Sequence, residues 1–272
     1  MSTQLSLLTS DFEQLWPLAG AESWDTPGLV AGSTSQLVSR VLLTVDVTKE
    51  IVDEARDGGF DLILAHHPLI LKGVTSLDEA SSKGALLASA IRSNIAIYAA
   101  HTNADIVENG VSDTLARAFG LVDLAPLVAG ESGSDGHGRL GRLPSSMKLG
   151  EFARAISRIL PSTASGIRVS GDYDSEISKV ALCGGAGDSF IPVALSSNAD
   201  VYVTSDLRHH PVQEARETGL NQKPVAFIDV SHWASEWLWL DVAAQQLASR
   251  HPSIQFVVSQ IRTDPWDFVV TQ

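Results

Sequence analysis

The placement of histidines and carboxylates is what most directly suggests chemistry in this sequence. His66-His67-Pro68 follows an apolar run that starts at Asp61, and His209-His210-Pro211 follows a similar run that starts at Asp200. Further along each half, His101 precedes Asp105 by four residues and His232 precedes Glu236 by four. Imidazole nitrogens and carboxylate oxygens are donors suited to Zn, Mn or Fe, and a site with a position open to water can run metal-assisted hydrolysis. If a helix begins at once in His232-x-x-x-Glu236, the two side chains share a face and can hold one divalent ion, or the carboxylate can bridge two. Asp105 relates to His101 in the same way. Taken singly, each motif has a plainer reading: adjacent histidines at a strand end can be solvated, and an acid in a first helical turn complements the helix dipole. Taken as a set, three histidines and two carboxylates at strand-to-helix junctions are what a two-metal hydrolytic site needs.

Side chains alternate along a strand and Pro68 favours an extended His67, so His66 and His67 are expected to diverge. Two ions, or an ion and a substrate, would then take one each. Cys183-Gly184-Gly185-Ala186-Gly187 reads as a loop after a strand that opens a helix. Its amides could approach an anion, and glycines easing a tight turn are an equal reading. Cys183 reads as a small buried hydrophobe, and no Gly-x-Ser-x-Gly elbow is present. Trp24-Asp25-Thr26-Pro27-Gly28-Leu29 reads as a structured turn with no chemistry assigned. Trp233, Trp237 and Trp239 read as core or subunit interface.

These residues must be positioned by an α/β scaffold. Strands are expected at 40–47, 61–65 and 95–99, with helices at 49–57, 83–93 and 110–119. The second half repeats the rhythm: strands at 177–182, 200–204, 225–229 and 254–260, helices at 190–196, 211–218 and 233–249. Setting Val41 against Val180 brings Asp61 onto Asp200 without a gap, and six of the eight histidines fall in matched places. A duplicated α/β unit follows, with mostly parallel sheets covered by helices. The first unit is expected over 1–125, with 230–272 packing back on it, and the second over 126–229. Residues 129–146, rich in Gly and Ser, read as a linker or mobile loop.

With 44% hydrophobic residues, the 272-residue chain can bury a real core, and its formal charge of −13 argues against a nucleic-acid binder. No apolar run approaches a membrane span, and the N-terminus reads as a helix start capped at Ser10 rather than a signal peptide. A single cysteine fits a reducing compartment, with the cytoplasm as the expected location.

The ordered set Trp24-Asp25 to Gly28-Leu29, Ala65-His66-His67-Pro68-Leu69, His101-Thr102-Asn103-Ala104-Asp105, Gly138-Arg139-Leu140-Gly141, Cys183-Gly184-Gly185-Ala186-Gly187 and Asp229-x-x-His232-x-x-x-Glu236 resembles the GTP cyclohydrolase 1 type 2 family, also called Nif-three-like. The likeness spans about residues 20 to 265 and is to the short form, without the domain that longer members insert midway. Two places depart from the family pattern: Ser231-His232 stands where Gly-His is common, and Thr204-Ser205-Asp206 where Thr-Gly-Glu or Thr-Gly-Asp is common.

The resemblance implies a dinuclear centre of two divalent ions (Zn, Mn or Fe) on His66, His67, Asp105, His232 and Glu236, with Glu236 as the bridge. It also implies toroidal homo-hexamers with sites facing an internal cavity. His101 is not a usual ligand there and stands, with His210, as a group that contacts the metal ligands or moves protons. His209, Gly184, Gly185 and Gly187 are assigned to substrate binding. The expected activity is that of a metal-dependent hydrolase acting on a nucleotide or related heterocycle, in the manner of ring opening of GTP. A metal-binding regulatory or adaptor protein, or a metal-dependent phosphoesterase, is the alternative. Substrate transfers less well than fold.

Overall fold

A computed structural model of the chain describes residues 2–130, 133–219 and 224–271. Two compact units are formed, one from 1–104 with 240–263, the other from 105–239 with 264–272. The fold is α/β with mixed, mostly parallel sheets. In the first unit five strands lie in the order Gln255–Val258, Arg40–Thr44, Leu62–Ala65, Ala96–Ala99, Gly28–Ala31. The first four are mutually parallel and Gly28–Ala31 closes the edge antiparallel. Strands 62–65 and 96–99 are buried at every residue, the apolar pattern of a parallel sheet covered on both faces. Lys49–Asp57 forms a helix because Thr48 caps it, its side chain accepting from Ile51 N, and Ile51, Val52 and Ala55 give it one apolar face.

In the second unit, six strands run in the order Arg168–Ser170, Ala226–Val230, Val201–Ser205, Glu176–Ala186, Arg139–Lys148, Val122–Ala125. Its three consecutive parallel strands, 176–186, 201–205 and 226–230, correspond to 40–44, 62–65 and 96–99 of the first unit.

The correspondence reaches individual bonds. Asp61 Oδ2 accepts from the amides of Ser39 and Arg40, and Asp200 Oδ2 from those of Ser178 and Lys179. Gly59 and Asn198, each two residues ahead of its aspartate, both take positive φ. Leu5 N donates to Gln36 O and Ser6 N to Thr34 O; Leu149 N donates to Ser175 O and Gly150 N to Tyr173 O. These bonds seat the helices Leu5–Leu15 and Leu149–Ile159, whose N-caps Gln4 and Lys148 share φ −71° and ψ 141°.

Three expectations change. Ser10 lies inside the first helix, which starts at Leu5 on the backbone bond to Gln36 rather than on a side-chain cap. The later part of the expected linker or loop is regular structure: Arg139–Lys148 is a ten-residue strand paired with both 176–186 and 122–125. Its inward positions hold Arg139, Gly141 and Leu143 rather than a run of β-branched residues, which hides the period of two; Glu131 and Ser132 of the same segment lie outside the described residues. Finally, the second His-His-Pro is not the structural partner of the first. His66 and His67 directly follow their strand, whereas His209 and His210 open the helix His209–Gly219, and Ser205 and Asp206 occupy the corresponding places. Among the described residues no helix is long and apolar enough to cross a membrane.

Candidate metal centre

In the first unit the carboxyl ends of the parallel strands carry a cluster of imidazoles. His66, His67 and His101 offer ligand nitrogens that all lie within 4.8 Å of one another. Each Nδ1 faces an oxygen within 2.9 Å. His66, fully buried, donates to Ala100 O at 2.8 Å. His67 donates to Asp46 Oδ1 at 2.7 Å, and Asp46 Oδ2 in turn accepts from Thr263 Oγ1 at 2.6 Å. His101 Nδ1 lies 2.9 Å from Asp25 Oδ2, an oxygen that also accepts from Thr102 N and Oγ1. An imidazole that donates through Nδ1 keeps its lone pair on Nε2, the arrangement in which a carboxylate or carbonyl orients a metal-ligating histidine.

Burial, with the neighbouring His66 ring, pushes His101 down to about 4, against the pull of Asp25, so it is neutral at physiological pH and its Nε2 can act as a ligand. The expected divergence of His66 and His67 does not occur: their ring centroids are 5.0 Å apart, because the strand ends at Ala65 and the two residues lie in a bend where strand alternation no longer applies.

In the second unit the helix His232–Arg250 starts at His232, and its first turn brings His232 Nε2 to 2.9 Å from Glu236 Oε1. His232 Nδ1 lies 2.7 Å from Asp206 Oδ2. Burial disfavours a charged imidazole here, but the Glu236 and Asp206 carboxylates outweigh it and lift His232 to about 11. The ring thus lies between two carboxylates, Asp206 on Nδ1 and Glu236 on Nε2.

Gly185 makes room for the pair. Its φ is +67°, and a Cβ there would fall 2.5 Å from Glu236 Oε1 and 3.3 Å from His232 Nε2. Asp105 closes the short helix Thr102–Asp105, and His101 sits just outside that helix, its carbonyl accepting from Ala104 N. Counting from the strand residues Ala96 and Ala226, the position matching His101 is Ser231 rather than His232, so the two histidine-carboxylate motifs are offset by one residue. Burial first, then the Asp105 and Glu236 charges, push Cys183 up to about 12, so it stays a protonated thiol.

The remaining assigned residues are placed differently. His209 and His210 are exposed in the first turn of their helix, their rings 5.1 Å apart. Cys183 to Ala186 end a strand instead of opening a helix. Gly184 N donates to Ser112 Oγ, Gly185 N to Ser235 Oγ and Gly187 N to Ser205 O, so these three amides are engaged within the fold. Gly187 packs against Thr204 and Tyr202, where a Cβ would lie 2.2 Å from Thr204 Oγ1.

Asp25, Asp46 and Asp206, which have no role assigned from the sequence, stand against the Nδ1 atoms of three of the histidines. A signal was present for Asp46, a carboxylate just past the carboxyl end of a parallel strand, where ligand sites of α/β folds gather.

Paired α/β units with histidines and carboxylates at strand ends define an α/β protein with candidate metal-binding groups. A family model described as Duf34/NIF3 (NGG1p interacting factor 3) matches residues 3–265, and the chain belongs to that family. A Streptomyces coelicolor protein named GTP cyclohydrolase 1 type 2 homolog is 43% identical over 97% of this chain and 93% of its own length. A Mycobacterium leprae protein of the same name is 32% identical, aligned over 375 residues that take in 98% of this chain and 96% of the relative. Among solved structures, a Bacillus cereus protein related to NIF3 superposes with a TM-score of 0.90 at 26% identity, covering 98% of this chain and 99% of that one.

Proposed function

We propose that this protein is a metal-dependent hydrolase acting on a nucleotide or related heterocycle, that it holds two divalent ions on His66, His67, Asp105, His232 and Glu236, and that it works in the cytoplasm as a homo-hexamer. The observation that carries the reading is the tethering of the imidazoles. His66 and His67 are each held at Nδ1 by a hydrogen bond and His101 Nδ1 lies against Asp25, while their ligand nitrogens converge, and in the second unit Gly185 leaves the space that Glu236 and His232 fill. The donors are nitrogen and carboxylate oxygen, which suits Zn, Mn or Fe. Relatives named GTP cyclohydrolase 1 type 2 homolog support the choice of a nucleotide.

Bound ions would supply Lewis acidity and a water of lowered pKa. The chain's own residues do the rest. Asp46 orients His67, and Asp206 orients His232. His101 joins the imidazole cluster directly, where Asp25 would stabilise the imidazolium formed if Nε2 takes up a proton. The negative chain as a whole repels polyanions, and cations on these ligands would reverse the sign met by a phosphate.

The test is turnover of a panel of nucleotides by the metal-loaded protein. We expect metal-dependent product from at least one nucleotide, reduced about a hundredfold or more in His67→Ala and Glu236→Gln. Metal-replete protein that leaves the whole panel unchanged would contradict the proposal.

A further inference from the structure

We propose that Trp24 is a stacking platform for a planar heteroaromatic ring beside the imidazole cluster. The proposal rests on the hydrolase reading for its choice of ligand, a nucleobase or related heterocycle. The indole of Trp24 is 57% exposed, unusual for a side chain of this size held on an ordered loop. It stands edge-to-face against His101, ring centroids 5.8 Å apart and planes at 78°, while His101 lies 5.4 Å from His66 and 5.5 Å from His67.

The loop that presents it is rigid. The Asp25 side chain, fully buried, accepts from Thr26 N at 2.8 Å, from Thr102 N at 3.2 Å and from Thr102 Oγ1 at 2.6 Å, and it lies 2.9 Å from His101 Nδ1. Asp25 N donates to Glu22 O, and Glu22 N to Thr102 Oγ1. One aspartate thus lies against the His101 ring and anchors the loop that carries the neighbouring indole.

With the backbone on either side of it tied down and one ring edge against His101, the indole presents an open face, and covering that face with a flat ring gains stacking and apolar burial. Phosphate or ribose offers no π face and gains neither. Trp24 carries no ligand atom for a cation, so its effect is on ring affinity and not on metal content.

The test is calorimetric titration of the metal-loaded full-length protein with guanosine, with adenosine, and with ribose as the control lacking the ring. Wild type, Trp24→Phe and Trp24→Ala are compared, with metal content measured on each. Nucleosides should bind and ribose should not. Trp24→Ala should weaken nucleoside binding by about tenfold or more, and Trp24→Phe by less than about threefold, at unchanged metal content. Equal nucleoside affinity of wild type and Trp24→Ala overturns the proposal, as does the absence of nucleoside binding by metal-loaded wild type. A change of oligomeric state as the sole effect of Trp24→Ala also overturns it, since the indole would then be a contact between copies. Protein that takes up no metal ends the hydrolase reading, whereas full metal content without nucleoside affinity ends only the platform.

Discussion

Asp46 and Asp25 act through the imidazoles they hold. A histidine ring free to rotate loses entropy when it binds a cation, and a carboxylate on Nδ1 both removes that loss and raises the basicity of Nε2. Asp46→Ala should therefore weaken metal binding by about 10- to 100-fold in a chelator competition, while leaving the far-ultraviolet circular dichroism unchanged.

Two histidines also set the pH response of the metal-free protein, with opposite signs. His101 is held down at about 4, below its unfolded value of about 6.5, so the stability it contributes is present above pH 6.5 and lost as pH falls toward 4. His232 is lifted to about 11, so its contribution is complete below pH 6.5 and is lost as pH rises toward 11. Thermal melts of chelated protein should show that His101→Gln flattens the acid limb and His232→Gln the alkaline limb. Loss of neither slope would show that other groups govern the titration.

Among elements, the strand-to-aspartate junction is the repeated device. Asp61 and Asp200 each satisfy the two amides just ahead of the point where parallel pairing begins, at Val41 and Val180, donors that would otherwise be left partly buried and unbonded. Asp61→Ala and Asp200→Ala should each cost about 2 kcal/mol in urea unfolding, and the matched geometry predicts similar values for the two. The gapless alignment of Asp61 with Asp200 made this repeat legible in the sequence, as did the apolar runs that became the central parallel strands. Less legible were elements whose signal is not periodic hydrophobicity. Arg139–Lys148 puts Arg139 inward, where the guanidinium is satisfied by Gly136 O, Gly138 O, Val107 O and Asp113 Oδ1, so its buried face does not look apolar.

The site was legible to a similar degree. Ligand types at strand ends stood out, because histidine pairs and i, i+4 spacing are visible in one dimension. Asp25 and Asp46 did not, because what they hold is decided by the pairing of distant segments, His101 with residue 25 and His67 with residue 46. The repeat also misled at one point, matching His209-His210 to His66-His67 by residue type where the strand register places Ser205 and Asp206.

For the whole molecule, assembly and metal content are the properties to measure. A homo-hexamer predicts a particle of six 29.0 kDa chains in sedimentation, and a monomer or dimer at micromolar concentration would contradict that part of the proposal. On the proposed function, these histidines and carboxylates hold metal. Elemental analysis of protein purified from metal-supplemented culture tests it most directly. About two divalent ions per chain are predicted, falling to about one or fewer in His67→Ala and in Glu236→Gln. Wild-type protein without bound metal, or variants that keep the full complement, would contradict it.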